Sequence, residues 1–236
     1  MVIRQKRIRL LYTMAQNYNL HYETVTPVLT NSLLKIMEEE LFAPFRLVGG
    51  TNLSLRYGHR RSDDIDLFTD ADYGSLDFSL FEDYLKKNFP YYDCPDTSDI
   101  VGFGRMYYIG LDEENNVKLD LMYTDQFFGI PEIIEGIRFA SVDQIAAMKM
   151  QAIATGGRKK DWWDIHLLLG QYSIKQLLEL HKQWQPYTHN ESELLDLLID
   201  FSGANNYPDP ICHKNLKWDD IKLDIIDAIE EYRANK

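Results

Sequence analysis

Apolar residues recur along this chain with two different periods, and the change from one to the other divides it. Ile8, Leu11, Tyr12 and Ala15 fall at helical spacing. From 26 to 41, Val28, Leu29, Leu33, Leu34, Ile36 and Met37 continue that period behind Pro27, a residue suited to a first helical turn. FRLVGG (45–50) predicts a short strand that stops on glycines. DIDLFT (64–69) alternates acid with apolar residue, as a half-buried strand does. SLDFSLFEDYLKKNF (75–89) predicts an amphipathic helix closed by Pro90. GRMYYIGL and NVKLDLMY flank the polar turn DEENN and predict a hairpin, and GIRFAS (136–141) predicts a further short strand. From SVDQIAAMKMQAIATGG onward the period is helical, with helices expected near 142–155, 160–171, 173–184, 190–201 and 218–233 and one long loop, GANNYPDPICHKN. The pattern predicts an α+β fold: a mixed α/β part over residues 1–141, then a helical part over 142–236.

Composition narrows the class. With 236 residues, 45% hydrophobic and 26% charged, the chain is long enough for one large domain or two small ones with a real core. No apolar run approaches the ~20 residues a membrane helix needs. The N-terminus MVIRQKRIRLLYTM is basic and then apolar, but polar residues interrupt it and no small-residue cleavage site follows, so no signal peptide is expected. Cys94 and Cys212 lack metal-type spacing and suit a reducing cytoplasm. A net charge of -12 argues against a protein that grips nucleic acid over its whole surface. Positive charge is nevertheless clustered at 4–9, 56–61 and 158–160.

The acids of DIDLF carry the first chemical signal. Positions two apart on a strand share a face, so Asp64 and Asp66 project together while Ile65 and Leu67 face the core. Two such carboxylates raise each other's pKa unless a cation lies between them, and magnesium suits hard oxygen donors. Asp120, in VKLDLMY, offers a third acid on another strand and would complete a site for two ions. A solvated or capping turn is the competing interpretation of D-x-D, which the alternation with core residues makes less suitable. Asp63 points the other way and is expected to take no part.

Gly49, Gly50 and Thr51 follow an apolar strand and precede a short helical stretch, NLSLRYG. Glycines there let backbone N–H groups approach a phosphate, and the Thr51 hydroxyl adds a donor. An ordinary strand-to-helix turn would look the same, and the spacing matches neither a P-loop nor a dinucleotide fingerprint. The combined order is more specific: strand, Gly-Gly-Thr, short helix, then Asp-x-Asp on a second strand. GGTNLSLRYGHRRSDDIDLF resembles the signature of the DNA polymerase β-like nucleotidyltransferase superfamily. HRRSDDIDLF is similar to the AbiEii/AbiGii toxin family, whose members carry a glycine pair, then arginine and serine just before Asp-Ile-Asp-Leu. The resemblance implies a nucleotidyltransferase-type sheet and transfer of a nucleotide from an NTP, with two Mg²⁺ ions held by the acids. It also implies that Arg60 and Ser62 belong to the nucleotide site.

MKMQAIATGGRKKDWWDIHLLL is the second informative stretch. Lys149 sits on an otherwise apolar helix, and Asp161 and Asp164 are three apart, hence on one helix face. A snorkelling lysine and an acidic helix start would account for the same residues. The family resemblance implies instead that Lys149 contacts the triphosphate or base, that Asp161 or Asp164 joins the site, and that the helical domain contributes to the active-site cleft. His59 and His166 form no metal set, and of the adjacent Trp162 and Trp163 at least one is expected in the core.

The resulting expectation is a cytoplasmic, Mg²⁺-dependent nucleotidyltransferase. It would move an NMP from ATP, GTP, CTP or UTP to an acceptor hydroxyl such as the 3′ end of tRNA, as a toxin with a cognate antitoxin. A protein-directed NMP transferase and an inactive nucleotide-binding regulatory module are the alternatives. An RNA acceptor would require the basic clusters at 56–61 and 158–160 to line one cleft.

Overall fold

In the computed structural model, residues 19–95 and 102–236 are described; the helix and basic cluster expected before residue 19 lie outside them. The chain divides into two compact units. One comprises 20–55 and 62–141; the other takes in 56–61 and 142–236.

The first unit is built on a seven-stranded mixed sheet. Its strands are β1 (Arg46–Leu47), β2 (Asp64–Thr69), β3 (Tyr91–Asp93), β4 (Gly104–Gly110), β5 (Asn116–Tyr123), β6 (Glu132–Ile134) and β7 (Ile137–Phe139). They are ordered β3-β4-β5-β2-β1-β7-β6. The β2/β5 and β1/β7 pairs are parallel and the other pairs antiparallel. Strands β3 and β6 were not expected from the sequence. Both are three-residue edge strands, too short for an alternating pattern to register. The β6–β7 turn places Glu135 (φ 50°) and Gly136 (φ 82°) in the left-handed region, as a two-residue hairpin of this type requires.

Helix α1 (Pro27–Glu38) has Thr26 as its N-cap, whose hydroxyl accepts from Leu29 N–H. It buries Leu29, Leu33 and Ile36 against the sheet. Phe42, Phe45 and Phe81 meet edge-on or tilted beneath it, with centroids 5.1–6.4 Å apart. The Arg138 guanidinium donates to the carbonyls of Met37, Phe42 and Phe45 and so ties β7 to the exit of α1. Helix α2 (Gly49–Tyr57) starts on the glycines themselves, and α3 (Phe78–Asn88) is capped by Asp77.

The second unit is helical: α4 (Val142–Ala154), α5 (Lys159–Leu168), α6 (Ile174–Trp184), α7 (Glu191–Ile199) and α8 (Trp218–Ala234). Helix α4 packs against α5, α6 and α7, and α8 closes over α5, α6 and α7. Trp162 and Trp163 are both buried. Trp163 stacks on Trp218 at 5.5 Å and 10°, while Trp162 donates to the Leu198 carbonyl. Among the described residues, no helix is long and apolar enough to cross a membrane.

Candidate active site

Sheet register decides what the acids of the first unit can do. β2 and β5 run parallel, with Asp64 beside Lys118 and Asp66 beside Asp120. Core residues alternate with these positions on both strands, so the four charged side chains form a two-by-two patch on one face. The Lys118 ammonium hydrogen-bonds Asp120 Oδ2. Burial pushes this ammonium's pKa down, but Asp120, with Asp66 and Asp64 behind it, holds it above its ordinary value. Asp120 Oδ1 is buried and has no hydrogen-bond partner among the described residues. Lys118 was not singled out in the sequence. The available signal was its spacing, K-x-D on a strand, which puts it on the same face as the acid.

The glycine turn lies against this patch. Gly49 has φ 68°, and a Cβ there would fall 2.1 Å from Asp66 Oδ2, so no other residue fits without displacing that carboxylate. Asn52 donates to the carbonyls of Leu47 and Ala140, at 2.7 and 3.1 Å, and pins the helix start to β1 and the end of β7. As first-turn residues of α2, Gly49, Gly50 and Thr51 carry N–H groups that have no acceptor within the helix. The Thr51 side chain is fully buried. Its hydroxyl lies 2.9 Å from Ser62 Oγ and also reaches the Asp64 carbonyl, holding the beginning of β2. Thr51 and Ser62 are therefore brought together as an internal brace.

The second unit gathers a different set. Asp164, with 0% exposure, accepts from Arg60 Nε at 2.7 Å and Nη2 at 2.8 Å, and from His59 Nε2 at 2.8 Å. Lys149 Nζ lies 2.7 Å from both Asp164 Oδ2 and Asp161 Oδ1. Asp161 Oδ2 accepts from the Arg158 N–H, so this acid also caps α5. Burial would raise the Asp164 pKa, but Arg60 and Lys149 hold it well below the usual carboxylate range. For Asp161 burial is likewise outweighed, mainly by Lys149. Burial lowers the Lys149 pKa, yet the two acids keep it above its ordinary value. Burial pushes His59 down to about 4, so its imidazole is neutral at pH 7.

Arg60 thus stands inside the unit as the bidentate partner of Asp164, not on an exposed rim. Lys159 is likewise engaged, with Asp209 at 2.8 Å. The segment 56–61, which ends α2 and continues as a loop, packs on α5 through the Arg60–Asp164 pair, so both basic clusters belong to one unit.

Among the described residues, no three acidic, imidazole or thiolate groups already converge as a metal site. The patch still fits hard cations in its donor chemistry. It presents three carboxylates on one face, and one buried oxygen lacks a partner.

Residues 32–233 match the family described as nucleotidyl transferase AbiEii toxin, Type IV TA system. An uncharacterized protein of Aquifex aeolicus (strain VF5) is 33% identical over 164 residues, which are 64% of this chain and 71% of that protein. A Helicobacter pylori crystal structure assigned as a nucleotidyltransferase superposes with TM-score 0.57 at 20% identity, covering 86% of this chain and 93% of its own. MenT4, a nucleotidyltransferase toxin of Mycobacterium tuberculosis H37Rv, superposes with TM-score 0.51 at 10% identity, covering 95% and 88%. These structures share the fold with the mixed sheet and helices described above. The family match spans both units, and the chain accordingly belongs to the AbiEii nucleotidyltransferase toxin family and is a nucleotidyltransferase.

Proposed function

We propose that the chain is a Mg²⁺-dependent enzyme of the cytoplasm that moves a nucleoside monophosphate from an NTP to an acceptor hydroxyl. The proposed acceptor is the 3′ end of tRNA, and a cognate antitoxin would restrain the activity. The observation that carries this reading is the patch of Asp64, Asp66 and Asp120, with the buried Asp120 Oδ1 lacking a partner among the described residues. These three acids would hold two Mg²⁺ ions. When bound, the metal would lower the pKa of the acceptor hydroxyl and stabilise charge on the departing pyrophosphate. In the reaction the hydroxyl oxygen gives up its proton to solvent and bonds to the α-phosphorus as the bond from that phosphorus to the pyrophosphate oxygen breaks.

The chain's own groups have separate tasks in this reading. The N–H groups of Gly49, Gly50 and Thr51 receive the β- and γ-phosphates at the positive end of α2. The Thr51 hydroxyl and Ser62 keep β2 in place beneath the turn. In the helical unit, Lys149 and Asp161 are the groups assigned to the nucleotide. Asp164, wholly buried on Arg60 and His59, orients Lys149.

Purified protein incubated with Mg²⁺, total tRNA and each labelled NTP in turn tests this. Label entering RNA supports the reading. Label entering protein, or NTP binding without transfer, overturns the acceptor assignment. The double substitution Asp64→Asn, Asp66→Asn is expected to reduce transfer by about 10³-fold while preserving the circular dichroism spectrum. Undiminished transfer by that variant would remove the acids from the mechanism.

A further inference from the structure

We propose that Lys118 is a built-in counter-cation of the acid patch, holding Asp120 until a divalent ion displaces it. The inference rests on the reading of Asp64, Asp66 and Asp120 as metal-binding acids. Register puts Lys118 directly beside Asp64 and on the same face as Asp120, so one ammonium lies among three carboxylates. Its bond engages only Oδ2 of Asp120 and leaves Oδ1 buried and unpartnered among the described residues. A half-satisfied buried carboxylate is costly, and a lysine that cannot satisfy both oxygens is a partial substitute for a metal ion.

The contrast with Lys149 is informative. Lys149 is 7% exposed and bridges two acids that have other donors, an arrangement with no room for exchange. The Lys118 side chain is 30% exposed, and its long flexible stem lets the ammonium swing away when a divalent ion arrives. Lys118 therefore offsets part of the patch's negative charge without metal, and metal must compete with the lysine.

Mn²⁺ binding measured by titration calorimetry and by electron paramagnetic resonance, without nucleotide, tests this directly. Lys118→Met is expected to bind Mn²⁺ about tenfold more tightly than the wild type, since a unit positive charge beside the acids is removed. Lys118→Arg, which keeps the charge, is expected to stay close to the wild type. The metal-free Lys118→Met protein should also unfold at lower temperature and gain more from added Mn²⁺. Equal or weaker Mn²⁺ affinity in Lys118→Met would overturn the counter-cation role. A wild type whose Mn²⁺ binding is absent, or unaffected by Asp64→Asn with Asp66→Asn, would instead overturn the metal reading on which it rests.

Discussion

The two charged regions of this protein are composed of similar residues and arranged to opposite effect. On β2 and β5, three aspartates face a single lysine, the side chains are half-buried, and one carboxylate oxygen is left without a partner among the described residues. Around Asp164, two aspartates face an arginine and a lysine, and both Asp164 oxygens accept two contacts each. The first region leaves one Asp120 oxygen open to an incoming cation. The second is balanced and closed. Buried ion pairs seldom add net stability over apolar packing, but losing one partner strands the other charge at high cost. The closed network is thus read as the device that fixes Lys149, and the open patch as the place where charge is added during turnover.

Breaking the closed region should give the largest stability effect. Arg60→Met strands Asp164 in the interior and is expected to cost about 3–5 kcal/mol. Thermal denaturation should show this as a drop of roughly 10 °C for a chain of this size. A variant melting within a degree or two of the wild type would show that Asp164 does not need its arginine.

The pH dependence follows from the same network. His59 is depressed to about 4 by burial, so the unfolded chain takes up its proton first as pH falls. Stability is therefore expected to decline between pH 6.5 and 4, by roughly 3 kcal/mol over the window. The buried acids add to this only at lower pH, because their contribution is full above the ordinary carboxylate value and is lost as pH falls through their depressed folded values. Denaturant unfolding across this range checks the slope, and His59→Gln should flatten it between 6.5 and 4.

The smallest stability change sharpens the open region. Gly49→Ala forces a side chain into a left-handed backbone and onto Asp66, with an expected cost of about 1–3 kcal/mol. Nucleotide transfer should fall by a much larger factor than this modest loss suggests, because the displaced carboxylate belongs to the patch. Equal transfer by the variant and the wild type, measured at saturating NTP, would detach the glycine turn from the acids.

Long periodic segments were legible from the sequence alone. Helices α1 and α4–α8 lie within a few residues of where apolar spacing predicts them, since each buries one face over several turns. The hairpin β4–β5 was equally plain. Short elements were not: β3 and β6 are held by a neighbouring strand rather than by their own pattern. Gly49 and Gly50, expected to end a strand, begin a helix, because glycine's local signal marks freedom without saying what uses it.

The candidate residues divide in the same way. That Asp64 and Asp66 share a face is a consequence of strand geometry, and the sequence by itself determined it. It also determined the order of glycine turn and acidic strand that carries the family. Only the tertiary structure decided that Asp120 lies beside Asp66 and Lys118 beside Asp64, because strand register depends on pairing between segments some fifty residues apart. It likewise decided that Arg60 and Asp164, more than a hundred positions apart, form one buried pair, making one member of an apparent basic cluster an internal support. Local periodicity records which way a side chain points; what it meets there is settled by long-range packing.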